Sequence, residues 1–252
     1  MYPIKFSMEC TKFQQIIRFL KEITDEAKFN FDNDGLHVCV TDSANVTMAE
    51  LHIPKSEFET YEFTELVKVG VDFTMLGCHG ILSEMPVGIF EFSLLEYNEN
   101  PNPNHKLEII NGIFKNTMKM ITVDSIRKEP KVPNYEVDTS FNMDTEQLQN
   151  IVRRAKLLSE FIIIETVLDE NIIRFVSSND DDVCCAEVNQ KLIKSGNSTA
   201  MYGLDYFDDM VKPIKSNTVL IGYKSDWPLT LVFSIGKKGR CKYLLAPRIK
   251  EE

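Results

Sequence analysis

No Cys-x-x-Cys, no pair of histidines at metal-ligand spacing, no Gly-x-x-x-x-Gly-Lys and no nucleophile elbow occur in these 252 residues. Zinc ribbons, dithiol redox centres, P-loop nucleotide hydrolysis and serine-hydrolase chemistry therefore lack their usual parts. No run of about 18 uncharged apolar residues is present either, so no membrane-spanning helix is expected. The stretch 1–10 sets Lys5 and Glu9 in short mixed sequence, unlike a secretory signal, and an intracellular protein is the expectation. The six cysteines, Cys10, Cys39, Cys78, Cys184, Cys185 and Cys241, are scattered and read as free thiols. Cys78 and His79 are adjacent, and neighbours on a helix point about 100° apart, so they do not form a nucleophile and base. Asp180, Asp181 and Asp182 read as a solvated acidic turn and not as a metal site, because consecutive side chains diverge. No catalytic residue, metal or cofactor is expected.

What the chain does contain is a repeat. Phe13, Ile16, Ile17, Arg18, Leu20, Lys21 and Ile23 return as Leu148, Ile151, Val152, Arg153, Ala155, Lys156 and Leu158. The turn Asn33, Asp34, Gly35 is answered by Asp169, Glu170, Asn171, and Gly70, Val71, Asp72, Phe73 by Gly203, Leu204, Asp205, Tyr206. Solenoid periods are about 20–50 residues, so a repeat this long argues for two duplicated domains. Halves of ordinary domain size can each bury a core. The boundaries expected are 1–118, a connector at 119–135, and 136–252. Segment 125–136, with Arg127, Lys128, Glu129, Pro130, Lys131 and Pro133, follows neither apolar period and is expected to be loosely packed.

Apolar spacing of three and four predicts helices at 10–25 and 144–160, the second capped by Asp144 or Thr145. Shorter helices are predicted at 72–82 and 205–215, and Pro213 should end the latter early. In that last helix Lys212 and Lys215 would lie one turn apart on the exposed side. Runs rich in Val, Ile, Phe and Thr predict antiparallel strands at 28–31, 35–40, 47–53, 88–95, 106–110, 113–123, 162–167, 172–176, 183–188, 218–223, 229–235 and 240–245. The class is α+β. A formal net charge of −10 disfavours general phosphate binding, unless the bases gather on one surface.

Tyr243, Leu244, Leu245, Ala246, Pro247, Arg248, Ile249, with Asp226, Trp227, Pro228, Leu229, carry a family likeness. So do Asp25, Glu26, Ala27, the Asp34, Gly35, Leu36 turn, and Thr41, Asp42, Ser43, Ala44, Asn45, Val46. In this order, over the whole chain, they resemble the sliding clamps called proliferating cell nuclear antigen, in their archaeal and eukaryotic form. The resemblance implies a DNA-clamp fold: two similar domains per chain, antiparallel sheets outside and two helices inside each, with three chains closing head to tail into a ring around duplex DNA. It implies a polymerase processivity factor, not an enzyme, placed in the nucleus of a eukaryote or the cytoplasm and nucleoid of an archaeon.

By the same resemblance, Lys12, Arg18, Lys21, Arg153, Arg154, Lys156, Lys212 and Lys215 face double-stranded DNA without reading its sequence. Thr41, Asn45, Val46, Ile126, Val132, Pro133, Tyr135, Pro228, Tyr243, Leu244, Leu245, Ala246 and Pro247 take a partner peptide. Ile113, Lys115 and Thr117 meet Val183, Cys185 and Glu187 of the next subunit. The implied partners are DNA polymerase, a clamp loader, flap endonuclease and DNA ligase, with no membrane. Trp227, the only tryptophan, belongs either to the core or to the rim of the peptide pocket. One departure stands out: Gly77, Cys78, His79 and Gly80 replace the lysines usual on that helix, which fits either a divergent homotrimer or one subunit of a heterotrimeric or checkpoint-type clamp. The rival from another class is a nucleic-acid-processing enzyme.

Overall fold

The computed structural model describes residues 2–76, 81, 85, 87–95, 106–170 and 172–249. Gly77 to Gly80, the polar tip at 98–104 and Asn171 lie outside them. The chain resolves into two compact units, one comprising Met1–Thr41, Ala49–Lys131 and Ser234–Cys241, the other Asp42–Met48, Val132–Phe233 and Lys242–Glu252.

The first unit opens with β1 (Ile4–Glu9) running into helix α1 (Cys10–Lys21), followed by β2 (Glu26–Phe31), β3 (Gly35–Thr41) and β4 (Thr47–Pro54). Then come β5 (Thr60–Phe63), β6 (Val67–Asp72), the short helix α2 (Phe73–Leu76), β7 (Ile89–Leu95), β8 (Lys106–Asn111) and β9 (Phe114–Lys119). One antiparallel sheet has the order β5-β1-β7-β8-β9; a second ladder runs β6-β2-β3-β4. Alternation along the strands sends phenylalanines inward. Phe6 lies opposite Phe92 in the β1/β7 register, their rings stacked at 4.5 Å and 16°, and Phe58 meets Phe6 edge-on at 5.0 Å. Helix α1 buries Phe13, Ile16, Ile17, Phe19 and Leu20 onto this cluster's side of the unit, with Phe13 reaching Phe90 at 5.0 Å.

In the second unit β10 (Thr139–Asp144) leads into α3 (Thr145–Lys156), then β11 (Phe161–Val167), β12 (Ile172–Ser178), β13 (Val183–Asn189), β14 (Leu192–Lys194) and β15 (Thr199–Gly203). Helix α4 (Leu204–Val211), β16 (Thr218–Tyr223), β17 (Leu229–Ile235) and β18 (Gly239–Leu245) complete the chain. A four-stranded antiparallel sheet has the order β13-β12-β11-β15, and a second ladder runs β14-β10-β16-β17. This core mixes aromatic residues such as Phe141, Tyr202 and Phe207 with aliphatic ones, and it holds a polar chain. Thr166 and Tyr223 share a short hydroxyl contact, Thr139 donates to the Gly196 carbonyl at 2.8 Å, and burial pushes the Tyr223 hydroxyl up to about 12. Such a chain is costly to leave half satisfied.

The α+β class and most predicted strands match the observed elements. Helix α3 starts because the Asp144 carboxylate accepts the Gln147 N–H at 2.9 Å, so the cap is Asp144 and not Thr145. Helix α4 stops at Val211, two residues before Pro213, so Lys212 and Lys215 do not lie one turn apart on a helix. Its last carbonyl, Val211, accepts from the Gln149 amide at 2.8 Å, and the same amide donates to Ile214 beyond the helix at 3.2 Å. Of the helix predicted at 72–82, the described part is α2. Ile151 and Leu158, expected in the core, are only half-buried.

Segment 125–131 is packed, not loose. Ile126 is buried at 6 % exposure, the Asn30 amide donates to Glu129 at 2.5 Å, and Lys68 lies 3.8 Å from the same carboxylate. The close approach depends on Gly70: a Cβ there would sit 2.4 Å from the Ile121 carbonyl oxygen and 2.9 Å from Ile126 Cδ1.

Candidate functional site

Helix α1 turns its apolar stripe inward and leaves Arg18 exposed and Lys21 half-exposed, about 60° apart around the axis. Lys12 is not on that face. It lies about 120° from Arg18 and about 180° from Lys21 around the helix, and its ammonium contacts Glu57 Oε2 at 3.0 Å and donates to the Glu57 carbonyl at 3.0 Å. Glu57 is nearly sealed, its side chain 3 % exposed. Burial alone would push this carboxyl up. Hydrogen bonds from Lys12 and from the amides of Lys238 (2.5 Å) and Lys237 (2.9 Å) outweigh burial and hold it below the usual range.

Helix α3 leaves Arg153 and Arg154 exposed, Arg153 donating to the Asn150 side chain at 3.3 Å. Lys156 reaches Asp205 at 3.0 Å and Asp208 at 3.1 Å on α4, and these two hydrogen bonds raise its pKa. Lys212 and Lys215 are exposed at and beyond the end of α4.

A cavity of about 260 Å³ in the second unit brings together Val46, Ala246 and Pro247 from the expected peptide-binding set, with Glu160, Phe161, Gly203, Asp205, Tyr206 and Arg248. The Ala246 N–H donates to the Val46 carbonyl at 2.8 Å, and Arg248 N–H to Met201 at 2.7 Å. The Asp42 carboxylate accepts the amides of Val46 (2.8 Å) and Thr47 (2.7 Å), which shapes the loop that places Val46, with exposed Asn45 at φ 58°. The Arg248 guanidinium stacks over Phe161 at 4.9 Å. Tyr243, Leu244 and Leu245 are 0, 5 and 0 % exposed, so they support this wall from within the core.

Pro228 and Tyr135 meet directly, the Tyr135 hydroxyl donating to the Pro228 carbonyl at 3.0 Å. Trp227 leans on Tyr135 at 5.4 Å and is 44 % exposed, which places it on the surface and not in the core. Val132 is half-buried and Pro133 exposed. Thr41 and Ile126 belong to the first unit, Thr41 half-buried and Ile126 turned into its core. Sequence reasoning missed Phe161, Gly203, Tyr206 and Arg248. Gly203 was visible as the repeat partner of Gly70, and Arg248 directly follows Pro247; nothing marked Phe161.

The strands expected at subunit edges are sheet edges in their own units. β9 ends the five-stranded sheet, with Ile113 93 % exposed just before it, Thr117 exposed, and Lys115 paired to Glu108 at 2.5 Å. β13 ends the four-stranded sheet, with Val183 69 % exposed, Cys185 exposed, and Glu187 accepting from Arg174 at 2.7 Å. Beside β13 lies a groove of about 440 Å³ lined by Ile151, Arg154, Phe175, Cys185 and Glu187 among others.

Cys39 and Cys241 are poor nucleophiles: burial, then the charges of Glu50 and Glu129, push Cys39 up to about 11, and burial raises Cys241. Cys78 and His79 lie outside the described residues. The amides of Asp181 (3.0 Å) and Asp182 (2.7 Å) donate to the Asn179 side chain, as in an ordinary turn, and among the described residues no cluster of His, Cys, Asp or Glu is placed to hold a metal.

Residues 1–80 match the family described as "Proliferating cell nuclear antigen, N-terminal domain". The chain is 30% identical to the DNA polymerase sliding clamp of Methanocella arvoryzae, over 98% of this chain and 99% of that one. It is 29% identical to the clamp of Methanosarcina barkeri with the same coverage. Among solved structures it is similar, at TM-score 0.87 and 26% identity over 99% of this chain and 100% of the other, to "C-terminal region of FEN-1 bound to A. fulgidus PCNA".

Proposed function

The chain belongs to the proliferating cell nuclear antigen family of DNA sliding clamps, and from that premise we propose how its surfaces serve a ring closed around duplex DNA. It is a DNA sliding clamp, a polymerase processivity factor without a reaction of its own.

Three copies join head to tail, β9 of one pairing with β13 of the next. This heterologous contact closes on itself and hides two edges that would otherwise invite aggregation. Strand β9 carries Lys115 and Lys119, whereas β13 carries Glu187 and follows Asp180, Asp181 and Asp182, so the edges are complementary in charge. Arg18 and Lys21 of α1, with Arg153 and Arg154 of α3, meet phosphates without reading bases. Lys212 and Lys215 add loop contacts. Lys156 must share its charge with two aspartates, and Lys12 is held by Glu57. The observation that carries this reading is the recurrence of basic residues at matching positions of duplicated helices, Arg18 with Arg153 and Lys21 with Lys156, in a chain of net charge −10.

The cavity at Val46, Gly203, Ala246 and Pro247 takes the polar head of a partner motif, a glutamine followed by an aliphatic residue and two aromatics. Pro228, Tyr135 and the exposed Trp227 receive the aromatics. A flap endonuclease is one such partner, in keeping with the A. fulgidus clamp seen with the FEN-1 C-terminal region; polymerase, ligase and an ATP-driven loader are the others. The work is intracellular, on DNA.

Native mass spectrometry tests the assembly. Three times the 29.0 kDa of one chain is expected, and a stable monomer at micromolar concentration would contradict the homotrimer and favour a mixed ring. Pro247→Asp should abolish peptide binding and polymerase stimulation with the trimer intact; unchanged stimulation would remove the pocket assignment.

A further inference from the structure

Four of the seven residues 236–242 are Lys or Arg, the densest basic run in an acidic chain. Lys237 and Lys238 sit in the turn between β17 and β18, and Arg240 and Lys242 on β18 directly after it. The turn is locked from inside: Gly236 has φ 66°, a Cβ there would lie 2.1 Å from Glu57 Oε2, and Glu57 accepts the amides of Lys237 and Lys238. Lys12 balances that carboxylate, so Glu57 is not available to neutralise the side chains above it.

Lys237, Lys238 and Arg240 are all exposed. Elsewhere bases commonly reach carboxylates, as in Lys5–Glu91 at 3.3 Å and Lys115–Glu108 at 2.5 Å; among the described residues no ion pair engages these three. The flanking apolar side chains are sealed, with Ile53, Ile235 and Cys241 at 0 % exposure and Phe233 at 3 %. A protein-binding surface would want an exposed aromatic or aliphatic anchor here. Exposed cations without ion pairs on a braced turn suit the regular charge of a phosphodiester backbone instead.

We propose that Lys237 and Lys238 in the β17–β18 turn, with Arg240 at the start of β18, form a second phosphate-contact surface for duplex DNA, separate from the helix faces. The inference extends the clamp reading without using Arg18, Lys21, Arg153 or Arg154.

The test measures affinity for a short linear duplex against sodium chloride concentration, for the wild type and three variants. K237A/K238A/R240A should bind several-fold more weakly at low salt and lower the slope of log K against log salt by about 2–3, at about 0.9 per lost phosphate contact. R127A/K128A/K131A removes equal charge and should behave as wild type; an equal loss there would reduce the effect to net charge and overturn the proposal. Wild-type affinity and slope in the turn variant, with weakened binding in R18A/K21A, would also overturn it while leaving the clamp reading intact. If R18A/K21A alone were without effect, the helix assignment would fail and the turn proposal would stand.

Discussion

Helices α1 and α3 are copies in sequence pattern, yet α1 is closed over and α3 is left open. Ile16 and Phe19 are both fully buried, whereas their counterparts Ile151 and Arg154 line the groove beside β13. The equivalent strands differ in the same way: β4 has a strand on either side, while β13 ends its sheet. The difference teaches that duplication preserved the helix stripe while one copy kept an unfinished face, which a neighbouring subunit can complete. The two helices also treat charge differently, since α1 holds a lysine against a sealed glutamate and α3 shares one between the exposed Asp205 and the half-buried Asp208.

The largest effect expected comes from Glu57→Ala, which strands the Lys12 ammonium and two amides; about 3–5 kcal/mol of stability should be lost in urea unfolding. A loss under about 1 kcal/mol would mean the pair is not sealed. The comparison is sharpened by cutting matched positions. Ile16→Ala should cost about 2–5 kcal/mol, whereas Ile151→Ala should change single-chain stability little and weaken self-association measured by ultracentrifugation. Equal stability losses would refute the open-face account.

The Glu57 pair also has a pH signature. Its folded pKa lies below the ordinary 4.5, so its contribution is complete above that value and disappears as pH falls through the folded pKa. The stability gap between wild type and Glu57→Gln should therefore narrow below pH 4.5 and stay level above it. The smallest effect is expected of Lys156→Ala, under about 1 kcal/mol, because its partner Asp205 is 81 % exposed.

How much of this could be read beforehand varied with the kind of signal. Long amphipathic helices and strands of alternating apolar residues were legible, as at α1, α3, β12 and β17. β1 was hidden because 4–9 mixes Lys5, Ser7 and Glu9 with its apolar residues; β6 and β15 went unpredicted, since Gly70 and Gly203 stood out only as members of the repeat that leads into a helix. Basic residues could be placed on helices, but not their partners: that Lys12 meets Glu57, 45 residues away, is a tertiary fact. The peptide-binding assignment was clearest where the backbone was irregular, at Val46 and Ala246. It was least clear along β18, where Tyr243 and Leu245 are core residues in a stretch that also carries surface ones.

Retention on DNA of defined topology tests the central claim most directly. Loaded onto nicked circular DNA, the protein should survive salt that strips phosphate-bound proteins and be released when the circle is linearised, because closure of the ring and not ion release retains it. Rapid loss from intact circles at the same salt, or persistence after linearisation, would contradict the account.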